Sequence, residues 1–396
     1  MATAAAGAVN ANDVVIVAAV RTPVGSFNKS LAKVSAPQLG ATVIRGLLEK
    51  TGVSPEEIEE VYMGNVVSAG IGQAPARQAA LFAGLPESTE ATTINKVCSS
   101  GLKAVMIGAM ALALGQRRTV IAGGMESMSS APFYFPRNAA FGHQKAHDGI
   151  IKDGLWDVYN DCHMGECAEE TAVDFQISRE AQDAHAIASY QRAAAAWDRG
   201  AFSEEVVPVV IKSKKGDVVV SRDEEYTQVK FDKVPGLKSA FRKGGSVTAA
   251  NASTLNDGAS GVLLMTAARA AELRLPPLAR ICGYADAATS PKRFTIAPSL
   301  AIPKALAAAG VEQDDIALFE INEAFSVVIC ANQQILKLDA DKVNVNGGGV
   351  ALGHPIGSSG SRILVSLVHA LKPGQKGVAG ICNGGGAASA MVIERL

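Results

Sequence analysis

Aromatic residues are scarce in this chain, making up 5% of its 396 positions. No charge dominates either, since 37 Lys and Arg stand against 38 Asp and Glu for a net charge of −1. Proteins that grip nucleic acid or an anionic membrane surface carry a basic surplus, so the balance argues against both partners. Long apolar runs are missing. The longest, Ala104 to Leu114, is about half the length needed to cross a bilayer and reads as a buried helix. Six cysteines at irregular spacing exclude a disulfide scaffold and fit a reduced intracellular protein. Met1 to Asn12 has no Lys or Arg, and the last residues, Glu394-Arg395-Leu396, are not a peroxisomal tail. The expected compartment is therefore the cytosol, with mitochondria the alternative if a transit segment has been removed. No Walker loop or dinucleotide fingerprint occurs.

What the chain does have is glycine (39 residues) and a 48% hydrophobic content, as expected for helices packed closely on a sheet through tight turns. Its length predicts two or three domains. It also repeats itself. Gly52-Val53-Ser54-Pro55-Glu56-Glu57-Ile58 resembles Gly310-Val311-Glu312-Gln313-Asp314-Asp315-Ile316, an offset of 258 residues. Ser99-Ser100-Gly101 matches Ser358-Ser359-Gly360, and Gly115-Gln116-Arg117 matches Gly374-Gln375-Lys376, both at 259.

Each copy reads as helix, strand, glycine turn, helix, strand. The first has helices over Pro37–Lys50 and Ser99–Leu114, with strands Ile58–Gly64 and Val120–Ala122. The second has helices Pro303–Ala309 and Ser359–Leu371, with strands Ile316–Ile321 and Val378–Cys382. Alternation of this kind predicts an α/β protein with two similar lobes, residues 1–126 and 251–396. The intervening 127–250 reads as a loop domain with one clear helix, Arg179–Arg199. Its basic residues, among them Lys212, Lys238 and Arg242, either face a phosphate-bearing ligand or form an ordinary solvated face.

Three glycine-rich turns carry groups fit for chemistry: Cys98 before Ser99-Ser100-Gly101, His354 in Gly353-His354-Pro355-Ile356-Gly357, and Cys382 before Asn383-Gly384-Gly385-Gly386. Glycine lets backbone N–H groups approach a reacting carbonyl. A thiol that attacks, a thiol that moves a proton and an imidazole between them suit carbon–carbon chemistry on thioesters. Cys98 stands at a helix N-terminus, which favours thiolate. By the repeat, Cys98 falls opposite Gly357 and Cys382 opposite Gly123, so two corners can face one another across the lobe boundary. Asn322-Glu323 ends a buried strand, where polar side chains hold water or orient another loop. His143 and His147 lack nearby ligands for a metal. Cys162 and Cys167 have four residues between them and no second pair to complete a zinc site.

Together the blocks Asn95 to Ala104, Asn322-Glu323-Ala324-Phe325, Gly353 to Gly357 and Cys382 to Gly386 resemble the thiolase family over nearly the whole chain. Gly72 to Ala79 matches a further family block. The resemblance implies a five-layered αβαβα thiolase fold with an inserted loop domain, and a homotetramer. It implies acetyl transfer from acetyl-CoA to Cys98, with His354 activating the thiol. Cys382 would take the α-proton of a second acetyl-CoA, giving acetoacetyl-CoA and free CoA for isoprenoid or sterol synthesis through mevalonate. Asn322, through a water, and His354 would form one oxyanion hole, and the N–H groups of Cys98 and Gly384 the other.

No prosthetic group is implied. CoA contacts carried over are Leu155, His163, Met164, Lys238, Ala249, Ser253, Ala324 and Phe325, with His163-Met164 narrowing the acyl pocket. Lys238 stands where relatives often have Arg, so a bidentate contact there is not expected. Tyr226, Ala249, Ala250, Ala252 and Val350 resemble a potassium site. The competing readings are a degradative 3-ketoacyl-CoA thiolase of broader chain length, a decarboxylating synthase and a non-catalytic acyl-CoA carrier. A synthase would usually have histidine in place of Cys382.

Overall fold

The computed structural model describes residues 9–138 and 141–396. In chain order the strands that matter here are β1 (Val14–Arg21), β2 (Glu60–Gly64), β3 (Glu90–Ile94), β4 (Thr119–Ser127), β5 (Trp156–Asp157), β6 (Cys162–His163), β7 (Asn256–Thr266), β8 (Ala279–Ala288), β9 (Ile316–Ile321), β10 (Lys376–Asn383) and β11 (Ala387–Arg395). The helices are α1 (Ala36–Thr51), α2 (Pro75–Phe82), α3 (Ser100–Ala113), α4 (Met164–Asp174), α5 (Arg179–Asp198), α6 (Pro298–Ala309), α7 (Ser326–Leu336), α8 (Gly349–Leu352) and α9 (Ser359–Ala370).

The strands run β9-β10-β11-β8-β1-β7-β4-β2-β3. Read outward from the middle, β1-β7-β4-β2 and β8-β11-β10-β9 have the same order and the same sense. Each has an antiparallel centre and a parallel outer pair. The sequence repeat is thus a repeat of half-sheets. The halves meet through the pairing of Val15 with Arg280 and Ile16 with Ala279.

Helices fill the remaining layers. α1 and α2 cover the outer face of the first half, in one cluster with Val15, Val61, Ile121 and Leu263. α6 covers the outer face of the second half, against Phe319, Val378 and Val392. α3 and α9 lie between the halves, where Leu102, Val105 and Met106 pack with Ile363, Leu364 and Leu367. Burying each such side chain contributes about 1.5–3 kcal/mol. These are the five layers of the αβαβα arrangement.

Local signals repeat with the fold. α1 begins with a capping box, in which the Ser35 side chain accepts from the Gln38 N–H and the Gln38 side chain accepts from the Ser35 N–H. It ends on Gly52 at φ +69°, and α6 ends on its counterpart Gly310 at φ +63°. Where the two central helices cross, a Cβ on Gly101 would lie 2.8 Å from the Ser361 nitrogen. One on its counterpart Gly360 would lie 2.5 Å from the Leu102 nitrogen. The crossing needs both hydrogens.

Three features differ from the sequence reading. α6 opens at Pro298 rather than Pro303, which sits inside the helix. The insertion holds a second helix, α4, whose buried face of Cys167, Ala168 and Ala172 is too small-sided to give a strong periodic signal. β7 follows residue 251, where the second lobe was expected to begin, yet it pairs with β1 and β4 of the first half. The insertion is anchored by Arg21, buried at the end of β1. Its guanidinium donates to Glu205 at 2.6 Å and to Asp223 at 2.8 and 3.0 Å.

Candidate active site

The three expected turns converge. Cys98 sits in the turn between β3 and α3, held by Val97 at φ +48°. Lys96 N–H donates to Ser100 Oγ at 2.8 Å, and Ser99 N–H donates to the Lys96 carbonyl at 3.1 Å. The next residue bolts this turn to the far half. Ser99 Oγ lies 2.8 Å from Asn383 Oδ1 and 3.2 Å from the Ile381 carbonyl, on either side of Cys382. The Gly384 N–H lies near enough to the Cys98 sulfur to favour its thiolate form. Cys382 is fully buried at the end of β10, and burial followed by the nearby Cys98 sulfur pushes its thiol up.

The Cys98 thiol is itself pushed up to about 12, chiefly by burial, while the Gly384 N–H pulls the other way. This corrects the expectation of a thiolate favoured by the helix terminus. In the free site desolvation outweighs the dipole, and the thiol keeps its proton.

His354 is fixed from both ends. Its N–H donates to Asn256 Oδ1 at 2.8 Å, and a Cβ on Gly353 (φ +103°) would strike the same amide at 2.6 Å. Ser359 Oγ lies 2.9 Å from the Pro355 carbonyl, to which it donates, and 2.6 Å from His354 Nδ1. With its only proton committed, Ser359 accepts from Nδ1–H. The Nε2 lone pair is then left free, and Nε2 is buried without a protein partner. Burial, aided by Arg362, holds the imidazole down at about 3, so it is neutral. Asn322 is fully buried too, and neither its Oδ1 nor its Nδ2 has a protein partner.

Two carboxylates grip the backbone on either side of His354. Glu323 accepts from Val350 N at 3.1 Å, Asn344 Nδ2 at 2.8 Å, Ser189 Oγ at 2.7 Å and His185 Nε2 at 3.2 Å. Burial alone raises a carboxyl, but His185 and these hydrogen bonds hold Glu323 at about 2. The expectation that Asn322-Glu323 orients a polar loop is realised in Glu323. Glu126, at the end of β4, accepts from Gly357 N at 3.0 Å, Val66 N at 3.0 Å, Val67 N at 3.2 Å and Asn65 Nδ2 at 2.8 Å. Burial pushes it up to about 7. Sequence reasoning missed Glu126. The available signal was a charge closing an apolar strand, Val120 to Met125.

A cavity of about 570 Å³ opens onto the trio, with Cys98, His354 and Gly384 in its lining. Leu155, His163, Met164, Ala249, Ser253, Ala324 and Phe325 line it as well, and it is mostly apolar. His163 stacks on Phe241 with centroids 4.8 Å apart, and its Nδ1 accepts from the Gly165 N–H at 3.0 Å. Burial lowers its pKa, so the ring is neutral with its proton on Nε2. Ser253 Oγ is bonded to the Ala324 carbonyl at 2.9 Å, which ties two lining segments together. Cys382 and Asn322 lie behind the lining. Lys238 is exposed, two residues from Ala240, which is in it. Of the other basic residues, Lys212 pairs with Asp217 and Arg242 with Glu166, as a solvated face does.

The family description "Thiolase, N-terminal domain" matches residues 14–268, and "Thiolase, C-terminal domain" matches residues 275–395. The chain belongs to the thiolase family. It is an acyltransferase of thiolase fold. It is 57% identical over 388 residues to the mitochondrial acetyl-CoA acetyltransferase of Rattus norvegicus, covering 97% of this chain and 92% of the relative. The mitochondrial acetyl-CoA acetyltransferase of Danio rerio is 58% identical over 387 residues, with the same coverage. Among solved structures, Acat5 thiolase from Ascaris suum in complex with coenzyme A superposes with a TM-score of 0.94. It is 49% identical, covering 97% of this chain and 100% of that one.

These relatives overturn the cytosolic placement, because both of these acetyl-CoA acetyltransferases are mitochondrial. That placement rested on the composition of Met1 to Asn12, of which residues 1–8 lie outside the described residues. The supply of mevalonate and sterol synthesis was tied to that compartment and loses its support with it.

Proposed function

We propose that this thiolase is an acetyl-CoA acetyltransferase, joining two acetyl-CoA into acetoacetyl-CoA and CoA and running the reverse thiolysis. The observation that carries the reading is the free, buried Nε2 of a neutral His354 in the same cavity as Cys98, with a second thiol directly behind. His354 Nε2 takes the Cys98 proton as the sulfur attacks the thioester carbonyl. The N–H groups of Cys98 and Gly384 receive the oxyanion. The carbon–sulfur bond to CoA breaks, and CoA leaves with the proton held by His354, so acetyl-Cys98 remains.

A second acetyl-CoA then loses its α-proton to Cys382, whose own thiol proton passes to His354 Nε2. His354 and a water held by Asn322 stabilise the enolate oxygen, in keeping with the unpartnered buried atoms of both side chains. Attack on acetyl-Cys98 forms the new carbon–carbon bond and expels the Cys98 thiolate, which recovers a proton from His354, while Cys382 keeps the α-proton. Each thiol ends as it began. Acidity as low as that of the buried free thiols is met by paired transfer within the substrate complex, with no standing thiolate.

The narrow apolar wall at His163 and Met164 favours short acyl chains over a broad degradative range. A rate profile from C4 to C16 substrates distinguishes the two. The deciding experiment is mass spectrometry after incubation with acetyl-CoA. One acetyl group should be found on Cys98, whereas binding without acylation would leave only an acyl-CoA carrier.

Two further elements belong to this reading. Tyr226 packs against the cluster containing Val350, and among the described residues no N–H or O–H is bonded to the carbonyls of Ala249, Ala250, Ala252 or Val350. An all-oxygen, uncharged donor set suits potassium, which would brace the loop carrying Ala249 beside the cavity. A homotetramer is in keeping with Phe133 and Phe135, exposed at 64% and 65% in the insertion.

A further inference from the structure

Beyond the acyl-transfer site, the insertion contains a second cluster of chemically capable side chains. β5 and β6 form a short antiparallel ribbon in which Asp157 is paired directly with Cys162. Opposed residues in such a ribbon project from one face. Cys167, in the α4 helix that follows at once, brings its sulfur to 3.8 Å from that of Cys162. One donor atom from each of Asp157, Cys162 and Cys167 lies within 4.8 Å of the others. The sequence reading dismissed the two cysteines for want of a second pair. The ribbon supplies a third donor that spacing could not rank.

We propose that Asp157, Cys162 and Cys167 form a binding site for a thiophilic divalent cation of the zinc type. Two thiolates on tetrahedral zinc, each at about 2.3 Å, stand about 3.8 Å apart, so the sulfurs already have the required separation. The carboxylate is held by a second set of contacts. Asp157 Oδ1 accepts from the N–H groups of Tyr159 at 2.9 Å and Asn160 at 3.2 Å, and Oδ2 accepts from Asn160 Nδ2 at 2.7 Å. Such contacts fix the orientation of a ligating carboxylate. Asp157 and Cys167 are buried while Cys162 is half-buried, which leaves a way in for the ion.

Binding replaces two S–H bonds by two S–metal bonds and releases two protons to solvent, with no change of oxidation state. The cysteines bracket His163 and Met164, which line the cavity. The ion therefore staples the ribbon to α4 and stiffens that wall.

The test is a titration of the reduced full-length protein with cobalt(II), followed by thiolate-to-cobalt charge-transfer absorption, with zinc as competitor. The expected result is one equivalent of cobalt bound with this band and displaced by zinc. The band should be lost in Cys162→Ser and in Cys167→Ser but kept in the Cys98→Ala/Cys382→Ala double variant. One equivalent of zinc should also raise the melting temperature of wild type and leave that of Cys162→Ser unchanged. Cys162 is half-buried, so its variant remains informative if Cys167→Ser fails to fold. Absence of the band in wild type, or its persistence in Cys162→Ser, overturns the proposal.

Discussion

The two half-sheets are built alike and use their equivalent corners differently. The first half carries Cys98 where the second has Gly357, and the second carries Cys382 where the first has Gly123. The corners without a thiol are closed by backbone. A Cβ at Gly123 would lie 2.1 Å from the Ser260 carbonyl oxygen, and one at Gly357 would lie 2.8 Å from the Met125 carbonyl oxygen. Duplication thus supplied a pair of matching scaffolds. The candidate active site lies where the symmetry is broken, with one corner of each half opened for sulfur and the other packed shut.

The sharpest way to break this comparison is to remove one sulfur at a time. Cys98→Ser should abolish the acetyl-enzyme and lower turnover by about 10⁴-fold or more. Cys382→Ser should leave acetylation of Cys98 detectable by mass spectrometry while condensation nearly stops, because only the carbon-to-sulfur proton transfer loses its group. Equal loss of both half-reactions in the Cys382 variant would show that the two corners do not divide the work.

The carboxylates flanking His354 sharpen the comparison further. Glu126 comes from the first half and Glu323 from the second, and each clamps a backbone N–H of the histidine loop. Their electrostatics are opposite. Glu323 sits at about 2, below its ordinary 4.5, so its stabilising contribution is full above pH 4.5 and is lost as pH falls through about 2. Glu126 sits at about 7, above its ordinary 4.5, so its contribution is full below pH 4.5 and is lost as pH rises through about 7.

Each shift corresponds to about 3 kcal/mol. Glu323→Gln should therefore lower unfolding free energy at pH 7 by about 3 kcal/mol, since a neutral amide cannot accept all the hydrogen bonds that the carboxylate takes from Val350, Asn344, Ser189 and His185. Glu126→Gln should instead flatten the decline in stability between pH 4.5 and 7. Urea unfolding of both variants across that range checks the contrast. Parallel pH profiles would mean that the two clamps are electrostatically alike.

Much of this was readable in the chain. The repeat offset named the equivalent strands, and the glycine around Cys98, His354 and Cys382 named the turns, because those signals are local. β7 was not readable, since nothing in Asn256 to Thr266 says which half-sheet it joins. Its partners lie more than a hundred residues away in β1 and β4. The protonation of Cys98 was missed for a related reason. A helix terminus is visible in sequence, whereas the burial that outweighs it is made by packing from both halves. Glu126 escaped because its partners, Asn65 to Val67 and Gly357, come from distant turns.

The smallest expected effect probes the symmetry itself at the crossing of α3 and α9. Gly101 and Gly360 are equivalent by the repeat, but an added methyl meets different neighbours. At Gly101 it approaches Ser361 Oγ at 2.7 Å, part of a side chain that can rotate, and then the Ser361 nitrogen at 2.8 Å. At Gly360 it meets the Leu102 backbone nitrogen first, at 2.5 Å, which moves only if the helix moves. Overpacking costs about 1–3 kcal/mol, and the helix propensity of alanine over glycine returns up to about 1 kcal/mol of it. Gly360→Ala should therefore lower the melting temperature more than Gly101→Ala does. The opposite order in thermal unfolding would mean that the helices part more readily on the α9 side of the crossing than the backbone contacts imply.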